Sequence, residues 1–265
     1  LITEEMHMGA LIEKAVKQIE EDRLKELEQE IDDESDEEAL ERELFSKEEE
    51  YNEFEDYEEF REFQDELEEI DRIEDEISTY EKLQNKIIED IDIDYLQERG
   101  LTIDSCRFKN VTFNDCSLKN IDLLDTIFEN CDLSNVDFSG GSIHRVEFVN
   151  CKLLGTKFDE CNIKEVLFRD CIGKYINLSF SKIKNVAIDE CNFSEGIFQQ
   201  VKLEKTIFNE VDLTNAYFNN TNLNKIDFTT CDITGIDVEI ENLAGVIVNT
   251  MQALELTRLM KLVVK

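Results

Sequence analysis

The sequence predicts a mainly β protein built on a five-residue repeat, with an acidic helical segment before the repeat and a short helical cap after it. From Ile103 to Val238, every fifth residue is large and apolar at 27 of 28 positions, and Gly173 is the exception. Neither the helical period of about 3.6 nor the strand period of about 2 produces this pattern. The chain also lacks proline, so every residue can donate a backbone N–H to a long ladder of strands.

The charge distribution divides the chain into segments. Residues 1–100 contain 40 acidic and 11 basic residues, a net charge of −29, whereas residues 101–238 contain 21 and 14, a net charge of −7. We therefore predict an acidic helical segment at 1–100, the repeat at 101–240 and a C-terminal cap at 241–265. A chain with a formal net charge of −36 is a poor candidate for direct nucleic-acid binding, because phosphate contacts require Lys and Arg.

A second inward position lies two residues before each apolar centre, and it mostly holds a small side chain. All eight cysteines occupy this position: Cys106, Cys116, Cys131, Cys151, Cys161, Cys171, Cys191 and Cys231. The other three positions of each quintet are mostly Asp, Asn, Lys, Glu and Ser. Each quintet therefore has two inward and three outward residues.

These quintets resemble those of the pentapeptide-repeat family. The segments "CDLSN" (131–135), "VDLTN" (211–215) and "TNLNK" (221–225) are close to that family's A(D/N)LXX pattern. The resemblance implies a right-handed quadrilateral β-helix with four quintets per coil, and hence about seven coils over residues 101–240. Residues 20 apart would then stack.

The stacking sorts the centres by side of the coil, which supports the four-sided arrangement. One side, the aliphatic face, is built on Ile103, Leu123, Ile143, Ile163, Ile183, Leu203 and Leu223. The next side, the Phe face, is built on Phe108, Phe128, Phe148, Phe168, Ile188, Phe208 and Phe228.

The same arrangement bears on the cysteines, which could be metal ligands, disulfide partners or buried thiols. Stacked cysteines would have Cβ atoms about 4.8 Å apart with parallel side chains. A disulfide prefers about 3.8 Å, and zinc needs four ligands that converge on one point. We therefore expect small apolar fillers, with no metal site and no cofactor.

The N-terminal segment has a helical pattern. An apolar stripe at steps of three and four runs from Phe54 to Ile77, which favours a coiled-coil-like hairpin with a loop at the acidic run 32–38. The alternative is partial disorder, because the high net charge opposes compaction.

The C-terminal segment breaks the quintet pattern and predicts a cap. Asn249 or Thr250 can begin a short helix. The cap resembles the C-terminal dimer module of the quinolone-resistance branch of the family, which implies a homodimer joined at this end; the alternative is a cap without dimerisation. The predicted dimer or cap residues are Leu243, Val246, Val248, Leu254, Leu256, Leu259 and Met260.

Nothing in the sequence indicates an enzyme. The two histidines, His7 and His144, lie in unrelated segments, and no phosphate-loop or nucleophile-elbow motif occurs. The chain shows no apolar run of about 18 residues and no signal sequence, and its cysteines suit a reducing compartment, so we expect a cytoplasmic protein without a membrane anchor.

The family resemblance implies a protein partner. The best understood members bind DNA gyrase and topoisomerase IV by imitating B-form DNA, and some thereby protect these enzymes from quinolones. The segment "SGGSIHRVEFVNC" (139–151) is similar to the Gram-positive chromosomal members of that branch. The Gram-negative members carry loops inserted between coils, which this chain lacks. The alternative function is a scaffolding solenoid whose acidic helical arm binds another protein.

The outward positions of the Phe face are the predicted partner-binding surface, because acidic residues predominate there. These residues are Glu129, Glu147, Asp170, Asp189, Glu190, Glu210 and Asp227. They could instead be ordinary solubilising charges. The outward side of the aliphatic face is basic, with Lys164, Lys182, Lys184 and Lys202 among its residues.

Two outward aromatics are candidate contact residues. Tyr175 and Phe180 lie close to Gly173, where an apolar centre is missing. An exposed aromatic pair on a polar surface can be a contact site. The pair could instead cover the notch that the glycine leaves.

Overall fold

The structure, a computed structural model, describes residues 68–69 and 82–261. The predicted helical stripe and acidic loop therefore lie outside the described residues, apart from residues 68–69. The strands in chain order are β1 (Glu68–Glu69), β2 (Lys82–Gln84), β3 (Lys86–Glu89), β4 (Asp92–Asp94), β5 (Gln97–Arg99), β6 (Thr102–Asp104), β7 (Arg107–Lys109), β8 (Thr112–Asn114), β9 (Ser117–Lys119), β10 (Asp122–Glu129), β11 (Ser142–Val149), β12 (Asn162–Arg169), β13 (Lys182–Asp189) and β14 (Lys202–Asn209).

The strands stack in parallel with a register of 20 residues. Leu123 pairs with Ile143, which pairs with Ile163, and the same register continues through β13 and β14. On the other two sides, bridges such as Asp132↔Lys152 and Asp137↔Lys157 repeat the 20-residue step. The described chain is thus a β-solenoid with four sides per coil, and the predicted β-helix is confirmed.

From Asn85 to Lys225, a left-handed backbone residue makes each corner of the coil. Positive φ angles recur every fifth residue, for example 53° at Asn110, 56° at Asn130 and 52° at Asn150. Asn, Asp and Gly adopt this region with the least strain, which explains why they recur at these positions. Tyr175 and Phe180, at 63° and 62°, are costly exceptions.

The apolar centres fill the solenoid as stacked ladders. The rings of Phe108, Phe128, Phe148 and Phe168 are almost parallel, with centroids of neighbouring rings 4.8, 5.1 and 5.0 Å apart. All four side chains are buried. Burying each one contributes about 1.5–3 kcal/mol, so these ladders supply most of the apolar stabilisation.

Side chains at the second inward position donate hydrogen bonds to backbone carbonyls of the preceding coil. The Cys151 thiol donates to the Phe128 carbonyl at 3.3 Å, and the Thr156 hydroxyl donates to the Leu133 carbonyl at 2.8 Å. The eight cysteines are buried and free, which confirms the expectation of buried thiols. Burial raises the pKa of Cys106 and of Cys161 to about 12.

The missing centre at Gly173 is filled by Phe193 of the next coil. A Cβ atom added at Gly173 would lie 2.7 Å from the Phe193 ring. Phe193 is fully buried, whereas Tyr175 and Phe180 are each 51% exposed. The interpretation that Tyr175 and Phe180 cover the space left by Gly173 is therefore wrong, because Phe193 of the same ladder already fills that space.

The solenoid begins earlier than predicted. Strand β2 pairs with β6 in the same register, and Leu83, Ile88 and Ile93 are buried centres. The predicted helical segment 1–100 is thus wrong for residues 82–99, and also for residues 68–69, which form strand β1 and pair with β3. The five-residue series of apolar centres is interrupted at Glu98, an exposed acidic residue at a centre position. Because of this interruption, the sequence pattern did not predict the coil that precedes Glu98.

A short helix closes the C-terminal end. Helix α1 (Thr250–Leu256) lies between 3-10 turns at Ile240–Leu243 and Thr257–Met260, and Asn249 and Gln252 form a capping box at its start. The buried Gln252 amide donates to the carbonyls of Phe228 and Cys231 at 2.6 and 2.8 Å. These bonds satisfy acceptors of the last coil that have no following coil.

The predicted cap residues divide into two groups. Those packed against the core are Leu243, Val246, Val248, Leu256 and Leu259. Leu254 and Met260 are instead 50% and 55% exposed.

The fit between Gly173 and Phe193 predicts a coupled effect of substitution. Gly173→Ala should lower the free energy of unfolding by about 1–3 kcal/mol, because the new methyl group overlaps the Phe193 ring. Phe193→Leu replaces the ring with a side chain of the same size as the leucines in that ladder. The double variant should therefore lose less free energy of unfolding than the sum of the losses of the two single variants. Urea denaturation of the four proteins measures this. Strictly additive losses would show that the two positions are not in contact.

Candidate protein-binding surfaces

The seven acidic residues predicted to form one surface have different environments. Glu147 and Asp189 are 2% and 8% exposed. Glu147 lies in register between Ile127 and Leu167, and burial raises its pKa to about 7, an effect that Arg169 and Arg107 partly offset. These two carboxylates are therefore not available to a partner, although the repeat places both on the outer side of the coil.

Two further acids of the predicted set form contacts within the solenoid. Glu129 forms an ion pair with Arg107 at 2.9 Å. Asp227 accepts hydrogen bonds from the backbone N–H and the hydroxyl of Thr229, both at 2.7 Å. These contacts fix the local geometry and leave the two carboxylates with fewer free oxygen lone pairs for a partner.

The remaining three acids form a continuous exposed row, which we call the acidic edge. Asp170, Glu190 and Glu210 occupy the same corner of successive coils, with φ angles of 55°, 50° and 49°. The pKa of Glu190 is raised, chiefly by repulsion from Asp170, and then by slight burial and by Asp189 and Glu210. The structure thus brings together three of the seven predicted residues.

The acidic edge has a definite start along the solenoid. In earlier coils the same corner holds Asn110, Asn130 and Asn150, whose amides bond to one another; Asn150 donates to Asn130 at 2.7 Å. The stacked carboxylates of this corner therefore begin at Asp170, whereas Asp90, at the same corner of an earlier coil, accepts a hydrogen bond from Asn110 at 2.7 Å. Stacked carboxylates repel one another, so this row is not explained by its contribution to stability.

The two predicted contact aromatics are exposed, but their surroundings differ. The Tyr175 hydroxyl donates to Glu195 at 3.3 Å, and the Lys174 ammonium lies 4.9 Å from the centre of the Tyr175 ring. Phe180 occupies the next corner of the same coil. Tyr175 is thus held in a small polar cluster, whereas the Phe180 ring is an exposed apolar group.

Two apolar side chains that the repeat pattern did not single out are also exposed on the solenoid. Ile172 and Tyr217 are 51% and 42% exposed. Each stands immediately before an inward centre, at a position that the repeat turns outward. An apolar residue at this position was the signal that could have identified them.

In the part of the chain from 82 to 261, no group of three or more His, Cys, Asp or Glu residues could hold a metal ion. Across the same stretch, no helix has the length and apolar character needed to cross a membrane.

Comparison with known proteins identifies the repeat. Residues 121–195 match the family model described as a pentapeptide repeat region, and residues 197–235 match the model described as pentapeptide repeats in eight copies. No curated protein matches the sequence.

Solved structures similar to this chain have low sequence identity to it. Full-length QnrB1, a plasmid-mediated fluoroquinolone resistance protein, is 20% identical, with 64% of this chain and 98% of QnrB1 covered and a TM-score of 0.33. HetL, a protein of heterocyst differentiation regulation from the cyanobacterium Nostoc sp. strain PCC 7120, is 14% identical, with 63% and 84% covered and a TM-score of 0.38. The family matches and the four-sided coils agree: residues 121–195 and 197–235 of the solenoid are pentapeptide repeats.

Proposed function

We propose that the solenoid binds a protein partner, and that this partner is a type II topoisomerase whose DNA-binding surface the acidic edge occupies. The observation that carries the proposal is the exposed row of Asp170, Glu190 and Glu210. Coils repeat at the strand spacing of about 4.8 Å, so this row presents about one carboxylate per 4.8 Å. A single DNA strand carries one phosphate per about 3.4 Å of helix axis.

A binding role suits the way this chain uses its polar residues. Outward Asp, Asn and Ser side chains close local turns, as when Asp132 accepts from the backbone N–H of Ser134 at 3.1 Å. The surface is a rigid array of charges at regular spacing, which favours electrostatic recognition of a partner. Protection from quinolones would follow if the bound solenoid displaced DNA from the enzyme. Membership of the Gram-positive branch, which the sequence suggested, stays a prediction, as does the cytoplasmic location.

The acidic edge can be tested with a charge-matched control. The variant D170N/E190Q/E210Q should bind DNA gyrase about tenfold or more weakly than the unmodified chain, because it removes the row of negative charge facing a basic surface. The control D122N/E160Q/E241Q changes three exposed acids elsewhere and should bind normally. Surface plasmon resonance at two salt concentrations gives both dissociation constants.

Two outcomes of this experiment count against the proposal in different ways. Failure of the unmodified chain to bind gyrase or to alter its supercoiling activity would eliminate the topoisomerase as the partner. Equal weakening by both triple variants would show that net charge, and not the acidic edge, governs the interaction.

We also propose that the C-terminal end joins two copies of the chain. Met251, Leu254 and Met260 are 73%, 50% and 55% exposed, which leaves apolar surface on the outer side of the cap. Light scattering should give twice the chain mass of 31.0 kDa, and M251K/L254K should give the single mass. A single mass for the unmodified chain at micromolar concentration would refute the dimer.

The alternative prediction, a scaffolding solenoid with an acidic helical arm as its binding element, depends on residues outside the described part of the chain. It stays a prediction.

A further inference from the structure

A second exposed patch lies at the corner opposite the acidic edge. The corners of one coil are Glu165, Asp170, Tyr175 and Phe180 in chain order, so Phe180 and Asp170 are diagonally opposed. Beyond Phe180 the chain enters the aliphatic face, where Lys182 points outward and is exposed. We call Phe180, Lys182, Lys202, Lys164 and Lys184 the Phe180 patch.

The lysines of this patch stack directly on one another. Lys182 is in register with Lys202, and Lys164 is in register with Lys184. Like charges placed opposite one another in a ladder are destabilising. Lys164 and Lys184 have carboxylate partners, Glu165 at 2.6 Å and Glu204 at 2.9 Å. Lys182 and Lys202 form no ion pair with any residue from 82 to 261.

Phe180 is also unfavourable for the isolated solenoid. It holds a left-handed backbone conformation with φ of 62°, and its ring is 51% exposed. Aromatic residues adopt this region at an energetic cost, and Asn, which fills the same role at other corners, does not expose apolar surface. Strain and exposed apolar area thus coincide with the unpaired lysines.

We propose that the Phe180 patch binds an acidic protein segment that carries an apolar side chain. The carboxylates of the segment would face Lys182 and Lys202, and its apolar side chain would pack on the Phe180 ring. This pairing of a central aromatic anchor with surrounding charge is common at protein interfaces. The site is separate from the acidic edge, so the solenoid could hold two partners on opposite corners.

Nucleic acid is the less suitable occupant. The patch spans only two or three coils, about 10 Å at the strand spacing, so few phosphates could contact its lysines. The formal net charge of −36 would repel a long polyanion at a distance, whereas a short acidic segment meets mainly the local positive charge. Phe180 is the one aromatic ring in the patch as defined, whereas single-stranded nucleic acid is usually bound on a series of stacking aromatics.

The probe is a fluorescein-labelled peptide of about 12 residues, made of Glu and Asp with two central leucines. Its binding to the full chain is measured by fluorescence anisotropy. Phe180→Asn should weaken binding about tenfold or more while leaving the melting temperature unchanged or higher, because Asn suits the left-handed corner. K182Q/K202Q should weaken binding about tenfold and reduce its dependence on salt.

Matched controls separate the patch from general effects. Tyr95 is also an exposed corner aromatic, with φ of 58°, so Tyr95→Asn should not change binding. K152Q/K157Q removes two exposed lysines from other sides and should also have no effect. A second peptide has serines in place of the two leucines. Its dissociation constant with the unmodified chain should equal that of the leucine peptide with F180N, because each change removes the same apolar contact.

Three results would overturn the proposal. The unmodified chain could fail to bind the peptide, or the controls could lose binding as much as the patch variants. A single-stranded oligonucleotide or a phosphatidylserine vesicle could bind more tightly than the peptide and lose that binding in F180N and K182Q/K202Q. The last result would assign the patch to a different class of anion.

Discussion

The hydrogen bonds between successive coils are the constraint on which the rest of the structure depends. Each bond joins residues close to 20 apart, as from the Asp132 N–H to the Val111 carbonyl at 2.9 Å and from the Lys152 N–H to the Cys131 carbonyl at 2.9 Å. A shift of one residue would turn apolar centres outward and polar residues inward. The backbone ladder and the side-chain ladders therefore specify the same register, and proline at inner coils would break both.

This register also explains why the surface can vary without altering the fold. The centres and the small inner residues pack inside the solenoid, and the corners adopt positive φ, which Asn, Asp and Gly accept with the least strain. The other outward positions are free to carry charge. At one corner three carboxylates form a row, and at the opposite corner an exposed phenylalanine stands beside stacked lysines. The asymmetry of charge across the coil is therefore a property of the outward residues alone.

Much of the fold could be predicted from the sequence, because a five-residue repeat assigns each residue to the inside or the outside. The buried positions of Phe148 and Phe168 and the buried cysteines follow directly from that assignment. The first coil was missed because Glu98 stands where an apolar centre belongs. The role of Gly173 was also missed, because its space is filled by a ring 20 residues away and not by a neighbour in sequence.

The site was less predictable than the fold. The repeat correctly places Glu147 on the outer side of a coil, but it carries no information on how deeply an outward residue is buried. Glu147 lies between two apolar neighbours and is buried, whereas Glu190 at a corner remains exposed. Exposure within a side depends on the stacked neighbours, since Lys182 and Lys202 are exposed there whereas Glu147 is buried between Ile127 and Leu167.

The eight thiols lie at inner positions from Cys106 to Cys231, so their reactivity reports whether the inside of the solenoid is closed to solvent. We expect a thiol reagent such as 5,5′-dithiobis(2-nitrobenzoate) to label almost none of them in the native protein at pH 8 and all of them in denaturant. Burial raises the pKa of Cys106 and Cys161, which slows their reaction further. Labelling of most thiols in the native protein at the rate seen in denaturant would contradict the four-sided solenoid.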